Sequence, residues 1–193
     1  MSELNTRDQL SIGLALAAVM AFTRGQHIAA LGHHLPDATL AVFFLAGLYL
    51  RPGWVFPALF AHALLIDVAA VGWGGVSSFC ISPAYGFLVP AYGAMWFAGR
   101  WYAGCHRFSW SMLAPLSASL LGAAVVAELL ASGGFYVFSG RFSNSSILGL
   151  GSRLVAYFPT TLAAVALYAV IAAALHSAVV CTRQSREGSP TTG

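Results

Sequence analysis

The sequence predicts an all-α integral membrane bundle of six transmembrane helices, and three observations carry that fold class. Of 193 residues, 59% are hydrophobic and only 8% are charged, against about half and about a quarter in soluble domains. All nine basic residues are arginine, too few charges in total to cover a water-facing surface. The apolar residues fall into six runs separated by short polar or glycine- and proline-rich interruptions. Lipid is the solvent that this composition fits.

The first run, Leu10 to Phe22, lies between Arg7 and Arg24. No compact small-residue cleavage site stands out after it, so it reads as helix one rather than as a secretory leader. Ala38 to Leu50 follows and stops at Arg51-Pro52-Gly53, a turn sequence. Val55 to Val71 is third, closed by Gly72-Trp73-Gly74-Gly75 and by Ser82-Pro83. Ala84 to Ala98 is fourth. Met112 to Ala131 is fifth, ended by Ser132-Gly133-Gly134 and the polar stretch Ser139 to Ser146, and Leu154 to Val180 is sixth. Several runs fall short of the roughly 20 residues that cross a hydrocarbon core, so they borrow flanking residues or thin the bilayer. Pro57, Pro90, Pro115 and Pro159 lie within spans, where neighbouring helices accommodate them. Residues 1–181 are thus expected to form a six-helix transmembrane domain, and residues 182–193 a solvated cytoplasmic tail. There is no internal repeat and no soluble domain.

Six spans put both termini on one face. That face holds Arg7, Arg51, Arg100, Arg107, Arg183 and Arg186, and the opposite face holds Arg24, Arg141 and Arg153. The positive-inside rule therefore makes the termini cytoplasmic and turns the uncharged loop from Gly72 to Pro83 outward. The net charge of +3 is a topology signal and not a nucleic-acid footprint. No Gly-x-x-x-x-Gly-Lys nucleotide loop occurs.

The outward loop carries Cys80, within Ser77-Ser78-Phe79-Cys80-Ile81-Ser82-Pro83. It is either a small buried hydrophobe or a ligand. Cys105 and Cys181 fall near the cytoplasmic face, and no Cys-x-x-Cys pair exists. Asp67, in Leu64-Leu65-Ile66-Asp67-Val68-Ala69, is costly in a span, so it either faces a polar cavity or enters a structural ion pair. Glu128 lies close to an outward helix end, where snorkelling is the favoured reading. Arg153 opens the last helix beside Gly149, Gly151 and Ser152 on the outward side, against the positive-inside rule, and serves either an anionic or amide-rich ligand or interfacial anchoring. His27, His33 and His34 share the first outward loop, but His33 and His34 are adjacent and only Asp37 is near, so a solvated loop is favoured over a metal site. Most tryptophans suit an interfacial belt. Tyr85 stands apart, five residues after Cys80 at the outer start of helix four. Gly13, Ala17, Ala21 and Gly25 give helix one a smooth flank, fit either for packing in the bundle or for a partner helix.

Six short spans, the small-residue stripe of helix one and the uncharged outer loop resemble the substrate-binding S-components of energy-coupling-factor (ECF) transporters. The segment Ser78-Phe79-Cys80-Ile81-Ser82-Pro83-Ala84-Tyr85, with Asp67 upstream and Arg153 downstream, resembles the BtuM family of small cobalamin transporters. The resemblance covers nearly the whole chain and is most specific at the cysteine.

The resemblance implies a bacterial inner-membrane protein that captures cobalamin from the periplasmic side, with Cys80 as an axial ligand to cobalt. A thiolate is a soft, strong donor, and the corrin leaves only the axial positions open. Sulfur on one face weakens the bond on the other, so reductant-assisted removal of an upper cyanide, with Cys80 as the catalytic group, is an implied secondary activity. Asp67, Tyr85 and Arg153 are implied to hydrogen-bond or orient the amide-fringed ring. An ECF-type transmembrane subunit and ATPases, docked through helix one, are the implied partners, with solitary transport as the other route. Two further classes stand beside this one. An S-component for another vitamin would leave Cys80 incidental. A membrane-embedded thiol enzyme would need a second cysteine paired with Cys80, a His-rich helix pair or a serine with an intramembrane base, and the sequence shows none of these.

Overall fold

Each of the six apolar runs forms one α-helix in the computed structural model, which describes residues 5–25, 35–73, 83–105, 110–142 and 146–187. The helices are α1 (Thr6–Arg24), α2 (Thr39–Tyr49), α3 (Val55–Trp73), α4 (Leu88–Cys105), α5 (Leu113–Phe138) and α6 (Ile147–Glu187). Short 3-10 turns at Pro83–Phe87 and Trp110–Met112 lead into α4 and α5. No strand occurs among the described residues. Cys80 and the loop histidines His27, His33 and His34 lie outside the described residues.

Three helices are long and apolar enough to cross a membrane: Val55–Trp73, Leu113–Phe138 and Ile147–Thr182, with mean hydropathies of 1.9, 1.8 and 2.2. The other three differ for identifiable reasons. Charge dilutes α1, which carries Arg7, Asp8 and Arg24, and Arg100 interrupts α4. The 11 residues of α2 rise only about 16 Å, roughly half of a hydrocarbon core. Instead of facing lipid along its length, α2 is the centre of the bundle, with Ala41 to Gly47 all buried.

The core gathers around it: Val42, Phe43 and Phe44 of α2, Met20 of α1, Met95 of α4 and Val165 of α6 are enclosed almost completely. The α2–α4 pair depends on two glycines. A Cβ on Gly47 would run into the backbone carbonyl of Trp96, and one on Gly99 into that of Phe44. Their backbones touch where no side chain intervenes. Away from this core the surface is apolar as well, with Leu14, Phe22, Leu65, Trp73, Ile147 and Val155 exposed. A protein apolar both inside and outside suits hydrocarbon on its flanks.

Four sequence expectations are corrected. The break at Ser132-Gly133-Gly134 does not occur, and α5 continues to Phe138. The Ser132 hydroxyl turns back onto Glu128, four residues earlier, and Gly134 is filled from outside by the Phe87 ring. Glu128 does not snorkel to the surface, because it is buried against that hydroxyl. The coil expected from Thr182 is helical as far as Glu187, since extending a formed helix through Arg, Gln and Glu costs little. Arg153 lies beyond the first turn of α6 and not at its start, because the helix begins at Ile147. There the Ser146 hydroxyl accepts the Gly149 N–H at 3.1 Å, a side-chain cap on the first turn.

Of the four prolines, Pro57, Pro90 and Pro115 fall in the first turns of α3, α4 and α5, where a missing N–H matters least. Pro159 is interior to α6. The small-residue stripe of α1 runs along a half-buried flank: a Cβ on Gly13 would lie 3.7 Å from the Leu50 side chain, and the Ala17 carbonyl meets His62 Nε2 at 3.2 Å.

Candidate functional site

The chain ends of four helices converge on Arg24. It closes α1, and its guanidinium points across the end of the bundle towards α3, α2 and α4. Nε donates to Asp67 Oδ1 and Nη2 to Asp67 Oδ2, both at 2.6 Å. This fork-on-fork geometry is the strongest arrangement open to an arginine and a carboxylate. The third nitrogen, Nη1, reaches Thr39 Oγ1 at 3.1 Å, the Tyr92 hydroxyl at 3.2 Å and Asp37 Oδ2 at 3.5 Å. The Arg24 and Asp67 side chains are 13% and 16% exposed, whereas Asp37 is 54% exposed. The Asp67 pair is therefore enclosed and the Asp37 contact lies at the rim.

Local sequence explains how each group arrives. Asp37 precedes α2, and its Oδ1 accepts both the Thr39 N–H at 2.9 Å and the Thr39 hydroxyl at 2.6 Å, a side-chain turn that starts the helix. Thr23 ties the end of α1 to the same point through Ala38 N–H, at 3.2 Å. Asp67 stands in the last two turns of α3, Tyr92 in the second turn of α4, and Tyr85 in the 3-10 turn before α4.

Tyr85 completes the cluster. Its hydroxyl donates to Asp67 Oδ2 at 2.9 Å. Phe60 sets its ring edge against both Tyr85 and Tyr92, each at 6.1 Å between centroids, and Tyr92 stacks on Phe43 at 4.6 Å. The polar groups thus rest on an aromatic floor. A carboxylate offers about four acceptor positions; among the described residues Asp67 uses one on Oδ1 and two on Oδ2, which leaves Oδ1 able to accept once more.

Asp67 and Tyr85, two of the sequence-predicted site residues, are brought together. The Arg153 guanidinium lies 4.7 Å from the Phe142 ring and 5.4 Å from the Tyr157 ring, a cation held between two aromatic faces. Cys80 belongs to the segment between Asp67 and Tyr85, outside the described residues. Arg24, Thr39 and Tyr92 are the cluster members that sequence reasoning missed. A signal for Arg24 existed, since it stands on the arginine-poor face just as Arg153 does.

Among the described residues, no group of three His, Cys, Asp or Glu side chains is placed to hold a metal ion. The cluster can instead bind through hydrogen bonds and ring contact. It offers acceptor capacity on Asp67, a hydroxyl on Tyr85 and aromatic surface beneath both. No family model matches the chain, and no curated protein is similar to it.

Proposed function

We propose that this chain is a cobalamin-binding membrane transport protein of the bacterial inner membrane, with cytoplasmic termini and an S-component-like bundle of six spans. It takes the vitamin from the periplasmic side at the Arg24 end of the bundle, with Cys80 as the axial cobalt ligand. The observation that carries this reading is the 2.9 Å bond between Tyr85 and Asp67. It joins a carboxylate and a phenol that stand on either side of Cys80 in the sequence.

A corrin presents a flat ring edged with amides. Asp67 Oδ1 accepts an amide N–H, the Tyr85 ring covers apolar ring surface, and Cys80 takes the axial position through sulfur. Arg153, clamped by Phe142 and Tyr157, meets amide carbonyls at the periphery. Loss of an upper cyanide as the anion, aided by a reductant, is a secondary activity of the same thiolate. The chain lacks a nucleotide loop of its own, so uptake draws on an ECF-type subunit and ATPases docked at α1 or on downhill release.

The test is a titration of the purified protein with hydroxocobalamin, followed by absorbance. Wild type is expected to bind and to shift the corrin bands as sulfur replaces oxygen or nitrogen on cobalt, and Cys80→Ala to abolish that shift. An unchanged spectrum and affinity in Cys80→Ala rule out ligation. Absence of cobalamin binding by wild type, together with binding of another vitamin, transfers the site to that vitamin.

A further inference from the structure

We infer that Arg24 is a positioning residue of the ligand site, acting through Asp67 on Tyr85. This deepens the cobalamin reading and rests on it.

The geometry gives Arg24 a role beyond neutralising a carboxylate. Neutralisation needs one contact, and Arg24 makes a fork to Asp67 with two nitrogens and uses the third on Thr39 and Tyr92. The fork fixes the plane of the Asp67 carboxylate. With Oδ1 and Oδ2 both pinned, Oδ2 has one direction left for a further donor, and the Tyr85 hydroxyl fills it. The position on Oδ1 that the described residues leave open is oriented by the same fork.

The third nitrogen then fixes the guanidinium itself. Tyr92 is 4% exposed and held by its stack on Phe43, so its hydroxyl is a rigid stop for Nη1. Thr39 is equally fixed, being bonded to Asp37 at the start of α2. A chain of contacts therefore runs from the buried core, through Tyr92 and Arg24, to Asp67 and Tyr85. Lysine at position 24 would keep the charge but has neither the planar fork nor the second anchor.

The experiment compares hydroxocobalamin affinity in wild type, Arg24→Lys, Tyr85→Phe, the double variant and Tyr92→Phe, all as full-length purified protein, with thermal midpoints and spectra at saturation. Arg24→Lys is expected to weaken binding roughly tenfold while its saturated spectrum stays that of wild type, because sulfur ligation does not pass through Arg24. The double variant is expected to bind about as weakly as the weaker single one, since both changes remove one pathway. Tyr92→Phe, which removes a single hydroxyl, is expected to weaken binding about threefold and carries the test if Arg24→Lys does not fold. Wild-type affinity in Arg24→Lys, multiplicative losses in the double variant, or an unaffected Tyr92→Phe in place of an unfolded Arg24→Lys overturns the inference alone. A wild type that binds no cobalamin overturns the cobalamin reading and this inference with it.

Discussion

The two ends of the bundle are held together by different physics. At the Arg24 end, buried charge joins α1, α2, α3 and α4, with Arg24 paired to both Asp67 and Asp37. The opposite end carries Arg51 and Arg100. Arg100 donates to the Arg51 carbonyl at 2.9 Å and covers the Trp96 ring at 5.0 Å, and the Arg51 N–H reaches Gln9 at 3.3 Å. Order there comes from the close α2–α4 approach at Gly47 and Gly99. A charge that must stay enclosed needs a full set of partners, and Arg24 has one. A fixed polar constellation on a rigid aromatic floor is what a binding site needs, and the Arg24 end supplies it.

The largest expected effect breaks the charged end. Asp67→Ala leaves the Arg24 guanidinium enclosed without its main partner and is expected to cost about 3–5 kcal/mol of stability. Arg100→Ala at the other end should cost about 1 kcal/mol or less. Denaturation midpoints in detergent give the comparison, and equal losses would erase the distinction between the ends.

Overpacking probes the other end. Gly47→Ala forces a methyl group into the Trp96 backbone and is expected to lower stability by about 1–3 kcal/mol. Gly99→Ala should do the same from the facing helix. A neutral result at both positions would mean that the helices separate freely, and that backbone approach is not what holds this end.

The smallest effect sharpens the charged end. Tyr85→Phe keeps the ring on Phe60 and removes only the hydroxyl that Asp67 accepts, for an expected loss of about 0.5–1.5 kcal/mol. Fluorescence-detected melting measures it. A loss as large as that of Asp67→Ala would make Tyr85, and not Arg24, the main partner of the carboxylate.

Much of the fold was legible in the sequence because hydropathy reports helix positions directly. The Arg51-Pro52-Gly53 turn falls between α2 and α3 as expected, and each apolar run overlaps one helix. Ser132-Gly133-Gly134 misled because turn propensity is defined in water. In an apolar setting a helix keeps its own hydrogen bonds, and Ser132 has Glu128 to answer. The short α2 was equally opaque, since burial at the centre of a bundle and burial in lipid select the same residues.

The site was half legible. Asp67 announced itself by cost alone: a carboxylate in an apolar run needs a partner. Its partner lies 43 residues away, a pairing that no local pattern encodes, and Arg24 read only as a marker of topology. Thr39 and Tyr92 were silent for the same reason, as one begins an apolar helix and the other looks like core. The Phe142 and Tyr157 rings that hold Arg153 were equally silent, since spacing along the chain does not weigh such contacts.

The three cysteines allow the central claim to be tested in one measurement. Cys105 and Cys181 are exposed, with Cys105 closing α4 at the Arg51 end and Cys181 following His176, which lies beside Tyr49 there. Cells with a permeabilised outer membrane are treated with a membrane-impermeant maleimide, with and without cobalamin. The prediction is that Cys80 alone is labelled, that cobalamin protects it, and that Cys105 and Cys181 react only once the inner membrane is opened. Labelling of Cys80 only after that opening, or to the same extent with and without cobalamin, would contradict an outward, cobalt-binding cysteine.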